Sequence, residues 1–383
     1  MADRGPRCVR RLAVPLVVMA LGTVAGCAPG NRDTLSAPPR FQAAIKTSGF
    51  VWGVQGHPGK QAAYADSGEG LARQLDYLDS LGATHYRVDV GPDSAGRVHP
   101  GFGGIVAAAA VRGIEILPVL VTQPDWAAPD SVNYRRGYTI GFNFGSRYQG
   151  RFTHVEAGNE LDNQVLKFTV DSTAHPARRN YQEGSSLDQY VDTLLSKTTW
   201  FLRGMTEGIH LGSPGTKVII DAGWRHYAYF EALHRGGVPF DVYGYHWYSE
   251  MGSFAAEVLP HLPDPGKEVW VTEANRRNTE DSLNDPAGQA EWIAWFAREL
   301  LAIPRVRALF IYELYDELAF GPRDEAYYGI VKCSDPGCTG PREPKPGFHA
   351  YRAAIENETS APSPPAELSA TSDTRPDRPS AVP

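Results

Sequence analysis

Phe152-Thr153-His154-Val155-Glu156-Ala157-Gly158-Asn159-Glu160 begins as a short strand-like run and closes on polar and glycine positions. Seven similar apolar, β-branched runs recur: Phe50–Gln55, Thr84–Val90, Ile114–Val121, Lys217–Ala222, Val242–Trp247, Glu268–Thr272 and Ala308–Tyr312. They are nearly continuous instead of alternating, as expected for strands buried on both faces of a parallel sheet. Helical patterns lie between them. Leu71, Leu75, Leu78 and Leu81 share one face, and Gly82 supplies a stop. Ser186 and Gln189 read as a capping box ahead of Val191, Leu194, Leu195, Phe201 and Leu202. Asp285-Pro286 places a cap and a helix-starting proline before Trp292, Ile293, Phe296 and Leu300. This alternation predicts an α/β fold, a single (β/α)8 TIM barrel over residues 41–355. The competing arrangement is a two-domain doubly wound fold. Against it, no Pro/Gly-rich linker divides the middle, and no Gly-x-Gly-x-x-Gly follows any run.

Outside that span the chain reads differently. In residues 1–26, Arg4, Arg7, Arg10 and Arg11 precede an uncharged run from Leu12 to Gly26, too short to span a membrane and suited to an export signal. The run ends Val24-Ala25-Gly26-Cys27, which resembles a bacterial lipobox in which Cys27 is lipidated; the plainer reading is an ordinary cleaved signal. Arg10-Arg11 alone is a weak hint of twin-arginine export. Residues 27–40 read as a tether. Residues 356–383, rich in Pro, Ser, Ala and Thr, read as a disordered tail that cannot bury enough surface to offset its chain entropy. These features imply an exported lipoprotein held on the outer face of a membrane through Cys27.

The 383 residues contain 37 basic and 44 acidic side chains, a formal net charge of −7, and losing the signal's net +3 leaves −10. That balance argues against a nucleic-acid partner, which needs a basic face. With 42% hydrophobic and 21% charged residues, the chain is neither wholly disordered nor collagen-like. The surplus of 8 Trp, 18 Tyr and 15 Phe suits either core packing or stacking on carbohydrate. Cys333 and Cys338 flank the turn sequence Ser-Asp-Pro-Gly and are expected to pair as a disulfide; no further ligands at zinc-site spacing are evident nearby.

In a barrel of this kind chemistry gathers where strands end. The fourth run ends in Asn159-Glu160, the seventh in Thr272-Glu273, the sixth in His246-Trp247-Tyr248, the second in Arg87-Val88-Asp89, and the first in Gln55-Gly56-His57. Glu160 and Glu273 would therefore face each other across the barrel mouth. Two converging carboxylates are the equipment for glycoside cleavage, one protonating the leaving oxygen and the other meeting the oxocarbenium centre.

This constellation resembles the (β/α)8 retaining glycoside hydrolases of clan A, closest to family 39 with family 5 nearby. The resemblance spans nearly the whole folded part, including Tyr328-Gly329-Ile330-Val331 and Pro344-Lys345-Pro346-Gly347-Phe348 before the last helix. It implies Glu160 as acid/base, Glu273 as nucleophile and Asn159 on the sugar 2-hydroxyl. Tyr248 would hydrogen-bond the nucleophile, and His246 would support the acid/base or a sugar hydroxyl. Arg87 would lie near Glu273 and lower its pKa. It implies a carbohydrate substrate and neither metal nor cofactor. The eighth run lacks the clan's tryptophan, so an aromatic floor falls to Tyr312 or Tyr315.

Other positions carry two readings each. Trp126 is either a stacking platform or core, and Trp224 shares that ambiguity. His57 either touches a sugar hydroxyl or satisfies the barrel rim. Glu156 reads as structural, paired inside the barrel. His226, His234 and His261 read as surface residues. Leu161–Ser185 joins the fourth strand to its helix with about 25 residues against the usual 2–6, and reads as a lid or specificity loop. The competing functions are a non-catalytic surface lectin and a metal-assisted hydrolase. No strand-end His-x-His favours the latter.

Overall fold

The computed structural model of the protein describes residues 49–171, 178–278, 284–319 and 325–360. Eight parallel strands close into a barrel: β1 (Val51–Gly56), β2 (His85–Val90), β3 (Glu115–Leu120), β4 (His154–Ala157), β5 (Lys217–Gly223), β6 (Val242–Tyr248), β7 (Val269–Asn275) and β8 (Val306–Ile311). Each coincides with one of the eight runs, and β8 pairs with β1 to complete the ring. Helices follow each strand: α1 (Gly68–Leu81), α2 (Phe102–Val111), α3 (Asp130–Arg147), α4 (Asp192–Gly212), α5 (Tyr227–Arg235), the one-turn α6 (Phe254–Glu257), α7 (Pro286–Leu301) and α8 (Pro346–Ser360). The fold is the single (β/α)8 barrel expected.

Two apolar clusters explain why the runs are almost continuously hydrophobic. Outward residues such as Trp52, Tyr86 and Val88 join the helices in one core, whereas Leu117, Ile219, Val242, Trp270, Ala308 and Phe310 fill the barrel interior. The Phe310 ring occupies the space beside Gly53, where a Cβ would stand 2.1 Å from it. Higher up the same strands the inward positions become polar: Gln55, Arg87, Glu156, Asp221 and His246 are all buried. The last helix is pinned by Tyr351, whose hydroxyl lies within hydrogen-bonding distance of the carbonyls of Gly53 (2.9 Å) and Leu309 (2.6 Å).

Local signals held in part. Gly82 ends α1 in the left-handed conformation at φ 83°, and the Asp285 side chain caps α7 through Gly288 N. The capping box at Ser186 does not form: Gln189 accepts from Ser185 N at 2.8 Å, a 3-10 turn intervenes, and α4 begins at Asp192. α8 reaches Ser360, so residues 356–360, expected in the tail, are helical. The Cys333–Cys338 disulfide is present. Residues 1–48, including the signal and Cys27, and the tail beyond Ser360 lie outside the described residues. No helix among the described residues is long and apolar enough to cross a membrane.

Candidate active site

A cavity of about 720 Å³ opens at the C-terminal ends of the strands. Asn159, Glu160, His246, Tyr248, Glu273, His57 and Tyr312 all line it.

Glu160 follows β4 and caps the one-turn helix Leu161–Val165 in the left-handed region, at φ 47°. That conformation costs a non-glycine residue about 1–2 kcal/mol. Asp221 at the end of β5 offsets the cost by accepting the Glu160 backbone N–H at 2.8 Å. Glu273 reaches the cavity through an irregularity. Trp270 points into the barrel interior, and Thr272 Oγ1 donates to Glu156 at 3.1 Å. Strict alternation would then turn Glu273 outward. Instead, register with both β6 and β8 shifts at this point, His246 pairing with Glu273 directly after Tyr245 pairs with Val271. An extra residue in one strand re-aims its side chain. As a result, an oxygen of Glu273 lies within 4.8 Å of an oxygen of Glu160.

Arg87 sits beneath the pair, fully buried, and does not line the cavity. It holds the side chains that face the cavity and is a positioning residue. Its guanidinium donates to Glu156 (2.7 and 3.0 Å), Gln55 (2.6 Å), Glu273 (2.5 Å) and Asn159 Oδ1 (2.8 Å). Burial would lower its pKa, but Glu156 and Glu273 raise it well above the usual value. Because Arg87 occupies the Asn159 carbonyl, Asn159 can offer a ligand its amide N–H. Glu156 is structural, as expected.

His246 is the hub. Its Nδ1 lies 3.1 Å from Glu160 and 3.4 Å from Glu273, and its Nε2 lies 3.2 Å from Asp221. Burial alone would discharge the ring; the carboxylates of Glu273, Asp221, Glu156 and Glu160 instead raise its pKa well above the ordinary value. Reciprocally, burial would raise the pKa of Glu160, but the hydrogen bond and charge of His246 pull it below the ordinary value. Burial, aided by Glu156 and Asp162, pushes Asp221 up to about 7 despite the attraction of His246. The Tyr248 hydroxyl donates to Glu273 Oε2 at 3.1 Å.

The aromatic walls differ from expectation. Trp126 packs half-buried against the hydrophobic core and does not line the cavity. Trp224 lines it instead, together with Tyr181, Tyr312 and Tyr328. Tyr315 is fully buried in the core, so the aromatic surface offered by the eighth strand is Tyr312. His226, read as a surface residue, is buried, lines the cavity and bonds Asp162 at 2.5 Å. His234 and His261 are exposed. His57 touches both of its alternatives: it lines the cavity and its Nδ1 bonds Asp89 at 3.0 Å. In the described part of the insertion after Glu160, Phe168–Asp171 pairs antiparallel with Arg178–Tyr181, and Leu166, Tyr181 and Gln182 border the cavity. Residues 172–177, including His175, lie outside the described residues. Gln55, Asp89 and Asp221 were missed as site residues. Their signal was available, since each is a polar residue at an inward position two from another inward residue near a strand end.

No family model and no curated protein matches the chain. Solved structures do. One is a family 39 glycoside hydrolase from the gut symbiont Bacteroides cellulosilyticus, with a TM-score of 0.56 and 15% identity, covering 82% of this chain and 65% of that one. A family 1 β-glucosidase from Thermotoga maritima gives a TM-score of 0.57 and 13% identity over 82% of this chain and 99% of that one. A GH5_18 protein from Streptomyces cattleya, solved with GlcNAc, gives 0.58 and 16% over 82% of each. The chain thus spans just under two thirds of the first of these proteins and nearly all of the second. At such identities the likeness is one of fold: the barrel is shared.

Proposed function

We propose that the protein is a retaining glycoside hydrolase that cleaves β-glycosidic bonds of an extracellular or cell-envelope polysaccharide or oligosaccharide. The observation that carries this reading is the Glu160–Glu273 pair, with oxygens within 4.8 Å across an aromatic-lined cavity. Retaining enzymes hold their carboxyl groups about 5–5.5 Å apart, while inverting enzymes leave about 6.5–9.5 Å for a water. The shared fold with family 39, 1 and 5 proteins supports it.

Glu273, oriented by Arg87 and Tyr248, attacks the anomeric carbon and forms a glycosyl-enzyme. Glu160 protonates the leaving oxygen, then acts as base toward the water that releases the sugar. His246, held above its ordinary range by the surrounding carboxylates, and Glu160, held below its own by His246, are set to share one proton across their contact. The acid step then draws that proton through Glu160 across the 3.1 Å contact as charge develops on the leaving oxygen. Asn159 serves the sugar 2-hydroxyl, and Trp224, Tyr312 and Tyr328 offer stacking faces. The hairpin after Glu160 acts as a specificity loop at the cavity rim. The export-signal-like run ending at Cys27 supports a position on the outer face of a membrane, where a long glycan would reach the enzyme.

The test is hydrolysis of a panel of aryl β-glycosides and envelope polysaccharides by the wild type and by Glu160→Gln and Glu273→Gln. Turnover abolished in both variants is expected. Variants as fast as the wild type would sink the assignment, and binding without any turnover would favour a lectin.

A further inference from the structure

The ends of β1 and β8 hold a second group of buried ionisable residues that the glutamate pair does not use. His57, Glu313 and Glu317 are 7%, 1% and 3% exposed. Asp89 Oδ2 takes His57 Nδ1 at 3.0 Å, while Asp89 Oδ1 accepts from Gln55 Nε2 at 3.1 Å. An Nδ1–H donated to that carboxylate leaves Nε2 as the lone-pair nitrogen. It points toward Glu313 Oε2 at 3.4 Å and makes no hydrogen bond. Glu313 Oε2 also accepts the Tyr64 hydroxyl at 2.9 Å. Both carboxylate oxygens of Glu317 are buried, and the polar side chain they meet is the Glu313 carboxyl, so the two acids can share only a proton between them. One atom from each of His57, Glu313 and Glu317 lies within 4.8 Å of the others. Burying carboxylates in this way is costly without a compensating partner.

We propose that His57, Glu313 and Glu317 bind a divalent transition-metal cation, with Asp89 and Tyr64 orienting the ligands. An imidazole whose other nitrogen donates to a carboxylate is the usual arrangement around a metal. One imidazole with two carboxylates suits Zn²⁺ or Mn²⁺. Ligand atoms about 2.0–2.2 Å from an ion stand roughly 3–4.4 Å from one another, so the observed spacing closes on an ion with sub-ångström shifts. The cation would take the place of the proton shared by Glu313 and Glu317 and give His57 Nε2 a partner. A cationic sugar is a poorer occupant, because Glu313 and Glu317 do not line the cavity. The ion would clasp the first strand to the loop after the last, next to Tyr312 on the cavity wall. This site does not depend on the reaction proposed above.

The experiment uses the purified full chain, freed of metal by chelator and titrated calorimetrically with ZnCl₂ and MnCl₂ at neutral pH, with thermal melts in parallel. One saturable equivalent of either ion is expected, with a melting temperature that rises on loading. Glu317→Gln should weaken binding by at least about tenfold and Asp89→Asn by about 10-fold or more. Metal-free Glu317→Gln, relieved of a buried charge, should melt no lower than the metal-free wild type, which separates lost ligation from lost folding. If that variant does not fold, Asp89→Asn carries the test. No saturable binding of either ion by the wild type would overturn the proposal, leaving the cluster balanced by protons alone. Undiminished affinity in the folded variants would overturn it as well.

Discussion

Glu273→Asp tests the geometry of the carboxylate pair more sharply than an amide replacement does, because it keeps the charge and moves it. Removing one methylene withdraws the carboxylate by about 1.5 Å. The contact with Arg87, now 2.5 Å, would open to roughly 4 Å, outside hydrogen-bonding range. The gap to Glu160, now within 4.8 Å, would widen by up to about 1.5 Å, away from the spacing that suits direct attack. Misplacement by ~1 Å costs about 10²-fold in rate. We therefore expect kcat to fall about 10²–10³-fold, or roughly 3–4 kcal/mol of transition-state stabilisation. The fold should survive. Arg87 keeps Glu156 at 2.7 and 3.0 Å, Gln55 at 2.6 Å and Asn159 at 2.8 Å, so the losses are the hydrogen bonds that Glu273 accepts from Arg87 and Tyr248, about 1.5–3 kcal/mol each. Steady-state kinetics on the best aryl β-glycoside, alongside urea unfolding, would read both quantities. A folded variant with kcat within about tenfold of wild type would refute the reasoning.

Other perturbations probe the frame around the site. Asp221 is raised in the folded protein to about 7, so the native state holds a proton there that the unfolded chain releases near its ordinary value. Its stability contribution is present at low pH and is lost as pH rises to about 7. Asp221→Asn removes this dependence, and its melting temperature relative to wild type should climb between about pH 4 and 7; a constant difference would contradict the assignment. Gly141 on α3 packs against α4 so closely that an added Cβ would stand 2.1 Å from the Met205 carbonyl oxygen. Gly141→Ala should destabilise, because overpacking at about 1–3 kcal/mol exceeds the ~1 kcal/mol gained in helix propensity; a higher urea midpoint would count against this packing. Reducing Cys333–Cys338, which closes a loop with sequence separation 5, should lower stability by about 2 kcal/mol, read as a shift in urea midpoint with and without reductant.

The difference between Trp126 and Trp224 shows where reading the chain stops. Both follow strands and both are large amphipathic rings, so nothing in either neighbourhood separates stacking platform from core. The choice belongs to loop paths: Trp224, at φ 43°, lines the cavity, while Trp126 packs against the hydrophobic core. His226 is similar. Its partner Asp162 arrives from the insertion after β4, far away along the chain.

What the amino-acid order determined by itself is the ring of strands and the polar residue at each strand's end. Continuous apolar runs bury both faces, and the helical repeats between them leave a closed parallel sheet as the natural solution. That order also nominated Glu160 and Glu273, since their rank in the ring follows from counting runs. Only the tertiary structure decided that Glu273 enters the cavity, because a period of two turns it outward and a local register shift turns it back. Only there does Arg87 become a buried bracket beneath both glutamates, and only there do His57, Glu313 and Glu317, from opposite ends of the chain, converge. The physical reason is common to all three. Patterning fixes which side of a strand is apolar, but distances between side chains on different strands exist only after the barrel has closed.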